Sequence, residues 1–194
     1  MSLFDKMKQA SADNAGTAAA DPAAPQDFSS VPSQTIVFSE LPENLEQVRA
    51  LPQASLTNPF ETAALAVCAF CVYSVDPQAG AEILTFLRGP KGELSAYDKS
   101  FLKDRFSQYR YVPFSYFEGA KPENDYRPDE PYRITFFTDP YSFQNEGYCK
   151  LNVRSGGADS PRQIQLRRKG SQWFLWEQFV LVGIRTPKSD DPWA

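Results

Sequence analysis

Six residues between positions 154 and 168 carry the most distinctive chemistry in the chain: Arg154, Gly156, Gly157, Arg162, Arg167 and Arg168. The first four fall within Arg154-Ser-Gly-Gly-Ala-Asp-Ser-Pro-Arg162. Adjacent glycines let backbone N–H groups converge, and flanking arginines add planar forks of donors suited to phosphate or carboxylate. Charge is concentrated around them. From Lys150 to Gly170 six basic residues stand against one acid, Asp159, whereas Tyr111 to Glu146 holds seven acids and three bases. The segment lacks the G-x-x-x-x-G-K of a phosphate-binding loop. A hairpin also needs glycine at its turn whatever it binds, and charges often guard a sheet edge. The chemistry expected here is capture of an anion or of an acidic partner by a basic, glycine-bearing hairpin.

Other reactive residues point away from catalysis. Cys68-Ala-Phe-Cys71 has the C-x-x-C spacing of a redox pair, but such a pair sits at a helix N-terminus, where the dipole lowers the thiol pKa. This one lies some ten residues inside an apolar helical run, where cysteines serve as core fillers. The chain has no histidine and three cysteines, Cys68, Cys71 and Cys149. Imidazole-activated nucleophiles and the usual zinc sites are thereby excluded. Glu118, Glu123, Asp125, Asp129 and Glu130 match no calcium-loop spacing and lack its pivotal glycine, so a solvated acidic loop is the reading. No catalytic residue, metal site or cofactor is assigned.

The elements that position these residues follow from pattern. Residues 1–32 are read as a disordered tail: Ser11 to Pro32 is rich in Ala, Ser, Asp and Pro, too poor in large apolar residues to offset its ordering entropy. Leu3, Phe4 and Met7 could form a short amphipathic hook at its start. Order is expected near Gln34, giving a single domain over 33–194 that opens with a short strand, Thr35–Phe38. Leu41, Leu45, Val48 and Leu51 recur at helical spacing. Asn58-Pro59-Phe60-Glu61 is a helix start, with a cap, a proline at the first position and an acid at the third. The run it opens is apolar on every side, which marks a buried central helix. Asp76-Pro77 and Ser95-Ala-Tyr-Asp98 open two more. Tyr111 to Pro131 carries four prolines and no helical period. Strands are then expected at 132–138, 147–154, 162–168 and 172–176, with 179–184 as a fifth. Trp173 to Phe179 is apolar on both faces, as in a central strand or one that lines a pocket.

Helices first and a meander second give an α+β fold, three to four helices packed on a C-terminal four- to five-stranded antiparallel sheet. The longest uncharged, largely apolar run, Thr62 to Val75, is shorter than the roughly 20 residues a membrane span requires. Met1-Ser2-Leu3-Phe4-Asp5-Lys6 lacks the apolar core of a secretory signal. With three cysteines and no disulfide framework, a reducing, cytoplasmic setting is expected.

From Leu41 onward the chain resembles a family of small bacterial proteins without assigned activity. Tyr111-Val-Pro-Phe-Ser-Tyr-Phe-Glu-Gly-Ala120, the 154–162 segment and Trp173-Phe-Leu-Trp-Glu-Gln-Phe179 carry the resemblance, which covers about four-fifths of the chain. It implies bacterial origin and a domain behind a variable tail. The element order is also similar to nuclear-transport-factor-like or cystatin-like cones, which host enzymes and binding modules alike. The expectation is a non-enzymatic interaction module that meets another protein through the basic hairpin, the aromatic loop or the tail. The alternative is a small-molecule-binding or carboxylate-based enzymatic domain with a pocket between sheet and helices. The formal charge of −4 gives no global reason for nucleic-acid binding. Trp193 either docks on the domain or serves as a short partner motif.

Overall fold

A computed structural model describes residues 26–191. The amphipathic hook at Leu3, Phe4 and Met7 and the terminal Trp193 lie outside that range. Strand β1 (Ser33–Phe38) is followed by helices α1 (Leu45–Ala50), α2 (Pro59–Val75), α3 (Pro77–Arg88) and α4 (Ala96–Gln108). Strands β2 (Tyr132–Phe137), β3 (Tyr148–Val153), β4 (Arg162–Lys169) and β5 (Gln172–Gln178) complete the chain. The five strands form one antiparallel sheet in the order β1-β2-β3-β4-β5. This is the α+β arrangement expected, helices packed against a mainly C-terminal sheet.

Alternation along each strand decides which face is buried. Ile36, Phe38, Ile134, Phe136, Cys149, Leu151, Val153, Ile164, Leu166, Trp173 and Leu175 are all buried on the inner face. Helix α2 packs on that face and is itself buried on every side from Pro59 to Ser74. Burial of each such Val, Leu, Ile or Phe contributes about 1.5–3 kcal/mol. The helix starts where expected: the Asn58 side chain accepts from the Phe60 N–H at 2.9 Å, and Pro59 gives up no needed donor. It stops at Asp76, whose carboxylate turns to cap α3 by accepting from the N–H groups of Gln78 and Ala79. Gly80 lets α3 cross close over α2, since a Cβ there would lie 2.4 Å from the Tyr73 backbone.

Five expectations change. The fifth strand is β1, at the far edge. Residues 179–184 leave the sheet, because Gly183 turns with φ +69 and the Val180 carbonyl takes the Tyr116 hydroxyl. The helical stripe from Leu41 yields only Leu45–Ala50, since Asn44 caps it late and Pro52 opens a 3₁₀ turn. Tyr111–Pro131 holds two 3₁₀ turns, Val112–Tyr116 and Pro122–Asn124, and it buries Tyr116, Phe117 and Tyr126. Packed order also reaches back to Phe28, which is buried against Phe60. Finally, β5 is an edge strand, not a central one. Trp173 and Leu175 face the core, while Phe174 and Trp176 are half-buried on the other side.

Candidate anion site at the β4–β5 corner

Gly170 and Ser171 form the tight turn between β4 and β5, with Gly170 at φ +61, and they bring Arg167, Arg168 and Lys169 beside the aromatic β5. A second basic group comes from the end of α3. There Gly89, at φ +47, packs so closely on Phe174 that a Cβ would lie 2.3 Å from its ring. That contact brings Arg88 and Lys91 down onto the strand. Side chains and strand irregularity then meet. Gln165 pairs with Glu177 and Leu166 with Leu175, which leaves Trp176 as the extra residue of a bulge. The Lys91 ammonium donates to the Trp176 carbonyl oxygen.

The indole of Trp176 organises the corner. Lys91 Nζ lies 4.5 Å and the Arg167 guanidinium carbon 4.7 Å from its centroid. Tyr148 meets the same ring edge-on at 6.1 Å, and Arg167 also lies over Tyr148. Such contacts contribute about 0.5–1 kcal/mol each where water has access. They fix the direction of charges that would otherwise wander in solvent. Between these groups lies a cleft of about 420 Å³, whose wall holds the cations Arg88, Lys91, Arg167, Arg168 and Lys169 with Phe174 and Trp176. No carboxylate lines it. Arg88 pairs with Asp98 at 2.9 Å, while its Nε is buried without a partner. Burial, followed by repulsion from Arg88, holds the Lys91 ammonium below the ordinary lysine pKa.

The structure divides the six expected residues between two places. Arg167 and Arg168 belong to this corner. Arg154, Gly156, Gly157 and Arg162 stand at the other end of β4, about 20 Å away for a strand of this length. There Arg162 donates to the carbonyl oxygens of Val182 (3.0 Å), Gly183 (2.7 Å) and Ser160 (2.9 Å). Arg154 lies over the Phe137 ring at 5.4 Å. The Gly156 N–H donates to the Ser115 carbonyl and the Gly157 N–H to the Ser155 hydroxyl. A Cβ at Gly156 would meet the Ala120 carbonyl oxygen, and one at Gly157 the Tyr126 hydroxyl, each at 1.9 Å. The glycine pair therefore admits neighbouring chain and directs its N–H groups inward. Sequence reading passed over Arg88 and Lys91. Gly89-Pro90 reads as a helix stop, and nothing in one dimension says that the stop docks on a tryptophan strand.

The remaining candidates are structural. Cys68, Cys71 and Cys149 are free and buried, and burial pushes all three thiols far above the usual range. In the acidic loop, the Asp129 N–H donates to the Glu118 carbonyl and Asp125 accepts from the Ser189 hydroxyl at 2.7 Å. Among the described residues no group of three or more such side chains could hold a metal ion. Burial, then the neighbouring Tyr111, pushes the Tyr126 hydroxyl up to about 12. Two further hollows exist. One of about 520 Å³ runs between α4 and the edge of β5, and a groove of about 1150 Å³ lies among α1, α3 and α4. Among the described residues no helix is long and apolar enough to cross a membrane.

Neither a curated protein nor a solved structure matches the chain. A family model does match, over residues 40–188, and it spans the helices, the sheet from β2 onward and the whole basic corner. The chain belongs to that family, described as a domain of unknown function, DUF6935.

Proposed function

We propose that this is a non-enzymatic binding module of the bacterial cytoplasm, whose β4–β5 corner takes the anionic group of a partner protein. The observation that supports it is the cleft wall itself, which five basic residues and no acid line, with Lys91 and Arg167 meeting over the Trp176 ring. Arg88 is paired with Asp98, but the like charges of Lys91 and Arg167 over one ring cost stability in the free protein, and that cost is relieved when an anion enters. Two of the cations are spread over aromatic rings, so they are aimed before the ligand arrives and lose little freedom on binding. The absence of histidine removes the commonest route to a nucleophile, and three unpaired cysteines suit a reducing compartment. Arg162 at the far end of β4 and Arg154 just past the end of β3 form a second, lesser basic point.

Reversing two charges tests this reading. Arg167→Glu with Arg168→Glu should weaken binding of a glutamate-rich peptide by at least about tenfold, equal to about 1.4 kcal/mol, and reduce its salt dependence. Neither side chain is buried, so the melting temperature should fall only by the few degrees that their lost contacts with Trp176, Tyr148 and Trp173 represent. Unchanged affinity in low-salt titration calorimetry would remove the corner from function. A small-molecule reading draws on the 1150 Å³ groove among α1, α3 and α4, which exceeds the usual ligand-pocket range. It would be favoured if the charge-reversed protein kept full activity in cells while a bulky residue at Ala81 in that groove abolished it.

A further inference from the structure

Strand β5 closes the sheet on one side, with no strand beyond it in the order. An edge strand offers a row of outward N–H and C=O groups, and proteins usually blunt it or use it. The two halves of this edge differ. In the first half the Trp173 N–H donates to the Leu56 carbonyl at 2.7 Å, and the Gln172 side chain reaches the Ser55 carbonyl at 3.0 Å. This edge therefore already pairs with an irregular segment of its own chain. The second half borders the cleft of about 520 Å³, whose wall includes the consecutive residues from Leu175 to Phe179. Side chains of neighbouring strand residues point to opposite faces. A hollow that touches five in a row meets the strand edge-on.

The opposite wall comes from the helices. Phe70, Leu84 and Leu102 form its floor, and Tyr97 and Phe101 of α4 form its side. Large rings stand in water at the mouth: Tyr97 is 79% exposed and Phe179 is 50% exposed. The only cation from the turn after α3 that touches this edge is Lys91, which donates to the Trp176 carbonyl. Lys91, Arg88 and Trp176 line both this cleft and the basic one. The two hollows are thus one continuous surface, cationic at the corner and apolar beneath α4, with Glu177 and Asp98 as the two acids on the wall of the edge cleft.

We propose that the second half of β5 accepts an extended, acidic segment of a partner protein as an added strand. Its alternate apolar side chains enter the cleft beneath α4, and its carboxylates face Lys91 and Arg167. In the free protein Lys91 guards the edge by holding the Trp176 carbonyl. On binding, its ammonium passes to a ligand carboxylate and the carbonyl to a ligand N–H. The inference rests on the anion reading of the corner and adds to it the backbone pairing.

The test uses the full chain and a blocked ten-residue peptide of alternating valine and glutamate. A second peptide of the same sequence carries N-methyl groups on alternate residues, which removes the pairing donors and keeps the charges. The unmodified peptide should bind, slow amide exchange at Leu175 and Glu177, and exceed the methylated peptide at least tenfold in affinity. Tyr97→Ala, at an exposed site that the fold does not need, should weaken it several-fold. Equal binding of both peptides would overturn strand addition. If that binding were still lost in Arg167→Glu/Arg168→Glu, the anion reading would survive alone. Binding that neither charge reversal nor salt affects would overturn both. Binding to vesicles rich in phosphatidylglycerol with none to the peptide would also overturn it, as would an edge-to-edge dimer abolished by Tyr97→Ala.

Discussion

Gly157 shows how a residue can be noticed for one reason and required for another. Its place beside Gly156 suggests convergent backbone donors, yet its N–H is taken by the Ser155 hydroxyl and the space over its Cα by Tyr126. Tyr126 stacks on Tyr111 at 5.1 Å and donates to the Arg185 carbonyl at 2.7 Å, so one hydroxyl joins the aromatic loop to the C-terminal segment. A methyl group at position 157 must push that hydroxyl away. Gly157→Ala is expected to cost about 1–3 kcal/mol, the range for overpacking a filled site, read as a lower urea midpoint with unchanged slope. Binding of a glutamate-rich peptide at the β4–β5 corner should not change. A protein of parental stability with weakened anion binding would return the glycine pair to the role of cradle. The need for glycine was legible in the sequence. Its reason was not, because Tyr126 lies thirty-one residues upstream and only the folded loop brings it back.

At the scale of elements, α4 is held to the rest by few contacts, and those at its start matter most. The Ser95 side chain accepts from the Asp98 N–H and the Asp98 carboxylate from the Ser95 N–H, a reciprocal cap. Asp98 also pairs with Arg88, tying the start of α4 to the end of α3. Burial alone would raise the Asp98 carboxyl, but donation from Arg88 and Ser95 outweighs it and holds the group below its usual value. As pH falls, the unfolded chain therefore protonates first. The stabilisation is complete above the unfolded value of about 4 and is lost as pH drops through the lower folded value. Asp98→Asn should remove it, at about 1 kcal/mol for a pair in which Arg88 is nearly buried and Asp98 about one-third exposed. The variant should be weaker than the parent at pH 6, and the difference should shrink as pH falls below about 4. A constant difference across an acid titration of the melting temperature would exclude the carboxylate as its source. The cap itself was readable from Ser95 and Asp98. For β5 the sequence left two readings open, a central strand or one that lines a pocket, and the second holds, since Phe174 and Trp176 line the basic cleft. They are covered by the Gly89–Lys91 turn, a contact between elements eighty-five residues apart in the case of Lys91 and Trp176.

On the scale of the molecule, the pattern of large apolar residues showed helices before a sheet, and the structure keeps that order. Composition placed the boundary of the domain less well. The stretch to Pro32 is poor in large apolar residues, so the sequence reads as tail, but a single aromatic can anchor a chain if its site is already built. Phe28 is 5% exposed, with its ring 6.3 Å from Phe60 at the start of the buried α2. Just after it, the Val31 carbonyl accepts from the Thr138 hydroxyl at 3.1 Å and the Pro32 carbonyl from the Thr138 N–H at 2.9 Å. These contacts close the far edge of the sheet at the end of β2. A protein beginning at residue 33 loses the ring, worth about 3 kcal/mol at the lower end of phenylalanine truncations, and hydrogen bonds of about 1 kcal/mol. One beginning at residue 26 keeps both. For a domain of this size each kcal/mol moves the melting temperature by about 2–4 °C, so the shorter protein should melt about 8–16 °C lower. Phe28→Ala in the longer protein should account for most of the drop. Asp27 lies close enough to Arg168 for their charges to interact, so the protein beginning at residue 33, which lacks that carboxylate, should bind an acidic peptide no less tightly than the longer one at 15 °C, where each is folded. Equal melting temperatures for the two would show that the domain begins at β1, and that Phe28 packs on a surface complete without it.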